Sequence, residues 1–157
     1  MNPSLTELHA LINCRILENN HPLFTNSAGE IALTVDGEAC LRLRPGTRSL
    51  AEFKALLESF LLLVRRLATG KALVDQRALA PLSRAEQAWL QDHWLPRAVV
   101  QGRLTYGSIL PAYNPQAQAS VAAVWQTYNA TPQVRLFAHE DEANAWLRER
   151  VVIYSQM

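Results

Sequence analysis

Gly-Lys-Ala-Leu-Val-Asp-Gln-Arg-Ala-Leu-Ala-Pro-Leu-Ser-Arg-Ala-Glu, residues 70–86, is the stretch that indicates the fold class of this chain. Gly70 is suited to end a helix, and the apolar run at 72–74 is suited to a short buried strand. Ser83 and Glu86 have the spacing of a capping box, which opens a second helix. Since a strand between two helices is the unit from which α/β sheets are built, we predict an α/β domain with a mixed sheet. Residues 72–75 are predicted to lie among its central strands.

The other strand signals lie on both sides of this unit. Asp36-Gly37 separates two runs of alternating apolar residues, 30–35 and 38–44. This pattern predicts a hairpin with a two-residue turn in which both turn residues have positive φ. The chain is therefore predicted to begin with a β meander and to continue as alternating helices and strands. Further strands are predicted at 14–18, 104–110 and 134–137.

Helix starts are marked by capping residues and acidic first turns. The capping-box spacing Ser-x-x-Glu begins at Ser4, Ser49 and Ser83. Asn114-Pro115 combines an N-cap residue with proline at the first helical position, and acidic residues at 140–142 begin the last helix. The longest helix is predicted over 49–69, where apolar residues recur every three or four positions. We assign residues 1–13 to an N-terminal arm and residues 14–157 to one α/β domain with helices packed on its sheet.

The composition is that of a globular protein. The chain has 157 residues, of which 49% are apolar and 18% charged, and its formal net charge is +1. The largest basic cluster is the pair Arg65-Arg66, so no nucleic-acid partner is expected. The longest apolar run, residues 60–64, is much shorter than the roughly 20 residues that a membrane span needs. No membrane span is therefore predicted.

Cysteine and histidine show no pattern of a disulfide framework or a metal site. Cys14 and Cys40 are expected to be reduced thiols in or near strands, and the first residues lack a secretory signal, so the expected location is cytoplasmic. The four histidines have no metal-binding spacing, so no metal is expected. Because the chain also lacks a glycine-rich phosphate loop and a nucleophile motif, neither a cofactor nor enzymatic activity is expected.

Six short motifs resemble those of STAS-like domains (the anti-sigma-factor-antagonist fold), and in particular a group of small bacterial proteins described as STAS-like. The resemblance spans roughly residues 50–148 and implies an α/β domain with an N-terminal meander. The motifs are Gly70–Arg77, Glu86-Gln87-x-Trp89, Trp94–Val99, Tyr106-Gly107, Arg135–Phe137 and Ala143-x-x-Trp146-Leu147.

The chain departs from STAS-like antagonists in one loop. The resemblance implies an Asp-Ser-Ser-Gly loop in which a kinase phosphorylates a serine, but the equivalent loop here, residues 80–85, retains only Ser83. The predicted capping box already uses the hydroxyl of Ser83. We therefore do not expect a phosphoserine switch.

Polar side chains gather at the carboxyl end of the predicted strand 72–75, the edge at which open α/β sheets place ligands. Asp75 and Arg77 lie there, and the bend expected between Trp94 and Arg97 brings an aromatic face and a second guanidinium toward them. Two guanidinium groups beside a carboxylate would suit an anionic or zwitterionic ligand. In the alternative interpretation, Asp75 caps the loop or pairs with Arg77 or Arg97, and the charges satisfy one another.

A second candidate surface lies on the long helix. Leu61 and Leu62 fall outside its core-facing stripe and widen its apolar surface. Because monomers rarely leave contiguous apolar patches exposed, these residues are expected to meet a second copy in a two-fold homodimer. The alternative is that the N-terminal arm, which contains Leu5 and Leu8, folds back over them.

Two classes of function follow. The first is a non-enzymatic regulatory or protein-interaction module whose partner is a second copy or another, unidentified protein. The alternative is a binder of a small or lipid-like apolar ligand, as in the distantly similar CRAL-TRIO lipid-transfer domains. An enclosed apolar cavity of about 300 Å³ or more would favour the ligand binder. A flat apolar patch over a filled core would favour the interaction module.

Overall fold

The computed structural model describes residues 22–126 and 132–151. In this part of the chain, six strands form one mixed sheet in the order β1-β2-β3-β4-β5-β6. The strands are β1 (Phe24–Asn26), β2 (Gly29–Leu33), β3 (Ala39–Leu43), β4 (Lys71–Asp75), β5 (Tyr106–Leu110) and β6 (Gln133–Leu136). The helices are α1 (Leu50–Leu67), α2 (Arg84–Trp89), α3 (Leu95–Val100), α4 (Pro115–Gln126) and α5 (Glu140–Glu149), and a π-helical segment (Leu90–Trp94) joins α2 to α3.

The sheet changes direction of pairing at β3. Strands β1, β2 and β3 form an antiparallel meander, whereas β3, β4, β5 and β6 are parallel. Helices connect the parallel strands, as parallel pairing requires. The predicted mixed α/β sheet with an N-terminal meander is confirmed, and so is the central place of the 72–75 strand, because β4 lies between β3 and β5.

The two faces of the sheet carry different helices. One face packs against α1, α2, α3 and α4 through the larger apolar cluster of the domain. The other face packs against α5 through a smaller cluster that includes Cys40, Leu73 and Leu110. Alternation along β4 explains the division, because Ala72 belongs to the first cluster and its neighbour Leu73 to the second. Asp75, two residues after Leu73, is thereby placed on the α5 face.

The hairpin between β2 and β3 forms as predicted, but its turn differs. The N–H of Thr34 donates to the carbonyl of Glu38 (2.8 Å), and the N–H of Gly37 donates to the carbonyl of Thr34 (2.9 Å). The loop therefore has three residues, with Gly37 alone at positive φ (80°). This is a turn followed by a left-handed glycine. The prediction of positive φ at Asp36 is wrong, because the longer loop needs it only at Gly37.

The predicted helix starts are observed wherever the structure describes them. Ser49 accepts a hydrogen bond from the N–H of Glu52 at the start of α1, and Ser83 with Glu86 forms a complete capping box at the start of α2. The side chain of Asn114 accepts from two N–H groups at the start of α4. The long helix ends earlier than predicted: Ala68 takes the left-handed conformation (φ 56°), before Gly70 is reached.

The chain does not stop its helix at Pro96. The π-helical segment precedes it, and the N–H of Leu95 donates to the carbonyl of Leu90, five residues back. Pro96 is the second residue of α3 and has no N–H to donate, so the helix passes it directly after the turn with the wider, five-residue hydrogen bond. The helical path therefore continues through proline.

Some predictions fall outside the described residues. These are the arm at 1–13, the helix start at Ser4, and the strand at 14–18 with Cys14. The described domain begins instead with β1, which the sequence analysis did not predict. In the described part of the chain, we find no helix with the length and hydropathy that crossing a bilayer requires.

Candidate functional site

Four charged side chains form a cluster at the carboxyl end of β4, which we call the strand-end cluster: Arg42, Asp75, Arg77 and Glu140. Arg42 of β3 pairs in register with Asp75 of β4, and its Nη1 lies 3.0 Å from Asp75 Oδ2. Arg77 approaches the same carboxylate with Nε and Nη2, at 2.9 and 2.8 Å. The N–H of Arg77 also donates to Asp75 Oδ1 (3.1 Å). The carboxylate of Asp75 thus receives two guanidinium groups and closes its own loop.

Glu140 brings the first turn of α5 into this cluster. Arg42 binds its carboxylate with two parallel hydrogen bonds, from Nη1 at 2.7 Å and from Nη2 at 3.1 Å. A carboxylate in the first turn is also favoured by the helix dipole. The strand-end cluster therefore fastens the start of α5 to two neighbouring strands, and each charge in it has an opposite charge within 3.0 Å.

The ionisation of Asp75 follows from these neighbours. Burial alone would raise the pKa of the Asp75 carboxyl, but hydrogen bonds from Arg77 and Arg42 outweigh burial and lower the pKa below its usual 3.8. The hydrogen bond to Glu140 raises the pKa of Arg42. Asp75 and Arg42 therefore stay charged near neutral pH, and the Asp75 carboxylate has no proton to exchange there.

The structure separates the other two predicted site residues from Asp75. Arg97 forms an ion pair with Glu58 of α1 and donates to the carbonyl of His93 at 2.9 Å. Trp94 is buried, and its indole N–H donates to the carbonyl of Leu57 at 2.8 Å. Neither side chain therefore joins the strand-end cluster. The second guanidinium at Asp75 belongs to Arg42 instead.

A groove opens between α4 and β6, which we call the edge groove. Its volume is about 590 Å³, and of the described residues no charged side chain lines it. Val134 and Leu136 of β6 form one wall, and they are 37% and 62% exposed. Residues from α4, including Ala119 and Ala122, form the other wall. The groove is therefore an apolar surface at the open side of the sheet.

A second, smaller space lies behind the edge groove. This inner cavity has a volume of about 90 Å³ and is bounded by the sheet, α1, the π-helical segment and α4, with Trp94 in its wall. Four side chains line both spaces and separate them: Gln76, Ile109, Val121 and Trp125. The two spaces are therefore neighbours that share part of their walls.

No known relative identifies the chain. Neither a protein-family model nor a curated protein nor a solved structure matches it. The STAS-like resemblance therefore stays a prediction, and the assignment of function depends on the geometry of the site.

The surface predicted at Leu61 and Leu62 is not the apolar patch that we expected. Leu61 is only 3% exposed and belongs to the core, and Leu62 packs against that core while half-buried. Gly102 explains part of this burial, because a Cβ at that position would lie 3.2 Å from a methyl group of Leu61. The prediction of Leu61 as an interface residue is wrong, since the domain itself covers its side chain.

Sequence reasoning missed a buried ion pair between Arg48 and Glu86. Their side chains are 6% and 5% exposed. Two parallel hydrogen bonds join them, Nε to Oε2 at 2.7 Å and Nη2 to Oε1 at 2.8 Å. Glu86 was recognised as a capping residue, but nothing local indicated that an arginine 38 residues away would bind it. The pair fastens the start of α2 to the segment that precedes α1.

Cys40, a free cysteine in the described structure, has a buried thiol. Cys40 is 1% exposed and free, and burial raises the pKa of its thiol to about 12 despite the nearby Arg42. Such a thiol is a poor nucleophile. Within residues 22–126 and 132–151, no three His, Cys, Asp or Glu side chains lie close enough together to hold a metal ion.

Proposed function

We propose that this protein is a non-enzymatic interaction module that binds an extended polypeptide segment along β6. The observation that carries the proposal is the state of β6: it is an edge strand, and all four of its residues are exposed. Edge strands are usually shortened, charged or covered, because their unpaired backbone groups invite another strand. In the described structure no other element pairs with the outer side of β6.

The hydrogen bonds of β6 show which backbone groups face outward. The N–H groups of Gln133 and Phe137 donate to β5-side carbonyls, at 2.9 and 2.8 Å. Because the direction of these groups alternates along a strand, the N–H and C=O groups of Val134 and Leu136 point away from the sheet. These four groups are available to an added strand, which is the binding mode known as β-augmentation.

The edge groove adds side-chain selectivity to that backbone edge. A strand added beside β6 would direct every second side chain onto the groove face, next to Val134 and Leu136. Since the described lining of the groove carries no charge, an apolar side chain is favoured there over Lys, Arg, Asp or Glu. The partner segment is therefore extended and has apolar residues at alternate positions.

In this proposal the strand-end cluster has a structural role, and the partner binds at β6. Its arginines and carboxylates pair with each other, as expected if Asp75 has a structural role, and it offers no unpaired charge to a ligand.

The proposal also includes a STAS-like domain in a cytoplasmic bacterial protein, supported by the meander followed by alternating helices and strands. Ser83 caps α2 in this domain, which supports regulation without a phosphoserine loop.

One observation favours the second candidate function, the binding of a small or lipid-like apolar ligand. The edge groove and the inner cavity share four side chains, so an alkyl chain in the groove has an apolar space behind it. The inner cavity, about 90 Å³, is below the roughly 300 Å³ of a typical ligand site. The interaction module is therefore our first proposal.

The test is a selection of random peptides on the purified protein, followed by hydrogen exchange of the complex. We expect selected peptides to have apolar residues at alternate positions and to slow exchange at the amides of Val134 and Leu136. Leu136→Lys places a charge on the edge and is expected to abolish binding. Val100→Lys is the matched control, because Val100 is also exposed (76%) but lies on α3. Peptides that bind Leu136→Lys as well as wild type would refute the proposal.

The same purified protein and peptides also distinguish the two candidate functions. A fluorescent alkyl probe that binds wild type while no peptide does would support the ligand binder and contradict the interaction module. Val121→Trp places a larger side chain in the wall that the groove and the cavity share. It should weaken binding of the alkyl probe more than binding of the peptides.

A further inference from the structure

We infer that the segment bound along β6 is the β6 strand of a second copy, paired antiparallel about a two-fold axis at Leu136. The inference rests on the proposed function, because it names the partner of the same edge. It replaces Leu61 and Leu62 with a different surface for the homodimer.

The topology argues against the protein's own continuation as the added strand. The connections from β3 to β4, β4 to β5 and β5 to β6 all advance in one direction across the sheet with their helices on one face. Helix α5 lies on the opposite face. A strand that followed α5 and added to the outer side of β6 would complete a crossover of the opposite hand to these three. Such parallel crossovers share one hand in about 98% of cases, so a strand supplied after α5 is disfavoured at this edge, and a strand from a second copy meets no such restriction.

Charge limits the register of a two-fold pair. An axis at Arg135 would set two arginines directly opposite each other, which is unfavourable. An axis at Leu136 sets Arg135 opposite Phe137 of the second copy. The guanidinium of Arg135 already lies 5.6 Å from the ring centre of Phe137 in its own chain, so this pairing extends a favourable cation–π contact.

Burial favours the same axis. Leu136 is 62% exposed, against 37% for Val134, so pairing at Leu136 removes the larger apolar surface from water. Its outward N–H and C=O groups then bond to the same groups of the other copy. An axis at Val134 would bury the smaller side chain at the centre instead.

The paired strands would unite the two edge grooves. Val134 and Leu136 of both copies would form the floor of one trough, with an α4 helix along each side. Because no charged residue lines either groove in the described structure, the two surfaces meet without burying an unpaired charge. The edge is thus complementary to itself, as a two-fold interface requires.

Sedimentation and cross-linking test the inference. We expect wild type and Val100→Lys to sediment as dimers and Leu136→Lys to sediment as a folded monomer with an unchanged circular dichroism spectrum. In a Cys14→Ser background, Leu136→Cys is expected to form a disulfide-linked dimer on mild oxidation, because opposed Cα atoms lie about 5.5 Å apart. Val134→Cys is the matched control and is expected to cross-link at least tenfold more slowly.

Two results would overturn the inference. The first is a wild type that remains monomeric at all accessible concentrations while still binding selected peptides, which would leave the proposed function standing. The second is a dimer that survives Leu136→Lys or cross-links only through Val134→Cys, which would place the axis elsewhere. A wild type that neither dimerises nor binds peptides would overturn the proposed function together with the inference.

Discussion

Replacing Arg48 with methionine should be one of the most destabilising changes that a single polar side chain of this domain allows. Methionine keeps much of the volume and the contact with Phe53, whose ring centre lies 5.3 Å from the guanidinium carbon. It removes both hydrogen bonds to Glu86 and leaves that carboxylate buried, with only the N–H of Ser83 (2.8 Å) still donating to it among the bonds described above. An anion at 5% exposure cannot recover its hydration where it stands.

The magnitude follows from the burial of both partners. Removing one partner of a buried ion pair costs about 3–5 kcal/mol, because the other charge is left without compensation. For a domain of this size about 1 kcal/mol lowers the melting temperature by roughly 2–4 °C, so Arg48→Met should lower it by about 6–20 °C. Urea denaturation of wild type and variant measures the free energy of unfolding directly.

A double variant distinguishes the lost charge pair from lost packing. Glu86→Gln keeps an acceptor for the capping box but removes the charge, so Arg48→Met/Glu86→Gln should be more stable than Arg48→Met alone. The reasoning would be refuted if Arg48→Met cost less than about 1 kcal/mol, the value typical of exposed pairs. It would also be refuted if the double variant were no more stable than the single one.

Three further predictions concern the remaining charged and thiol groups. Asp75 has a lowered pKa in the folded state, so the stability it supplies is present above pH 3.8 and is lost as the pH falls through the folded-state pKa. Urea unfolding of Asp75→Asn should therefore vary less with pH in the acid range than wild type, and an identical acid slope would contradict this. In a Cys14→Ser variant, Cys40 should resist thiol reagents at neutral pH until urea unfolds the domain; stoichiometric labelling of the folded protein would contradict its burial. Arg97→Ala should cost less than about 1 kcal/mol, because Arg97 and Glu58 are about one-third exposed; a loss of several kcal/mol in urea unfolding would show a larger role.

Local signals predicted most of the fold. The capping residues Ser49, Ser83 and Asn114 act on N–H groups two or three positions away, so the sequence contains both partners of each bond. The strand at 72–75 is likewise a local pattern, an apolar run between two helices. The three-residue strand β1 is too short to show a period of its own, and it is ordered by pairing with β2.

The site was predictable only in part, because its decisive partners are distant in sequence. Asp75 and Arg77 are two residues apart, and their pairing was foreseen as the structural alternative. Arg42 and Glu140 are separated by 98 residues, and they meet only because β3 lies beside β4 and α5 packs on β4 and β5. The open side of β6 was equally hidden, since which strand lies at an edge depends on the order of the whole sheet.

The order of strands in this sheet has a consequence for how the protein is made. Because spatial order repeats chain order from β1 to β6, each strand from β2 to β6 finds a pairing partner already synthesised when it leaves the ribosome. The sheet can therefore grow vectorially, with few pairings that wait for distant segments, which favours rapid folding. At each stage the newest strand is the growing edge, and β6 is the last such edge among the strands that the structure describes. The edge that we assign to a partner thus belongs to the last of the described strands to be synthesised.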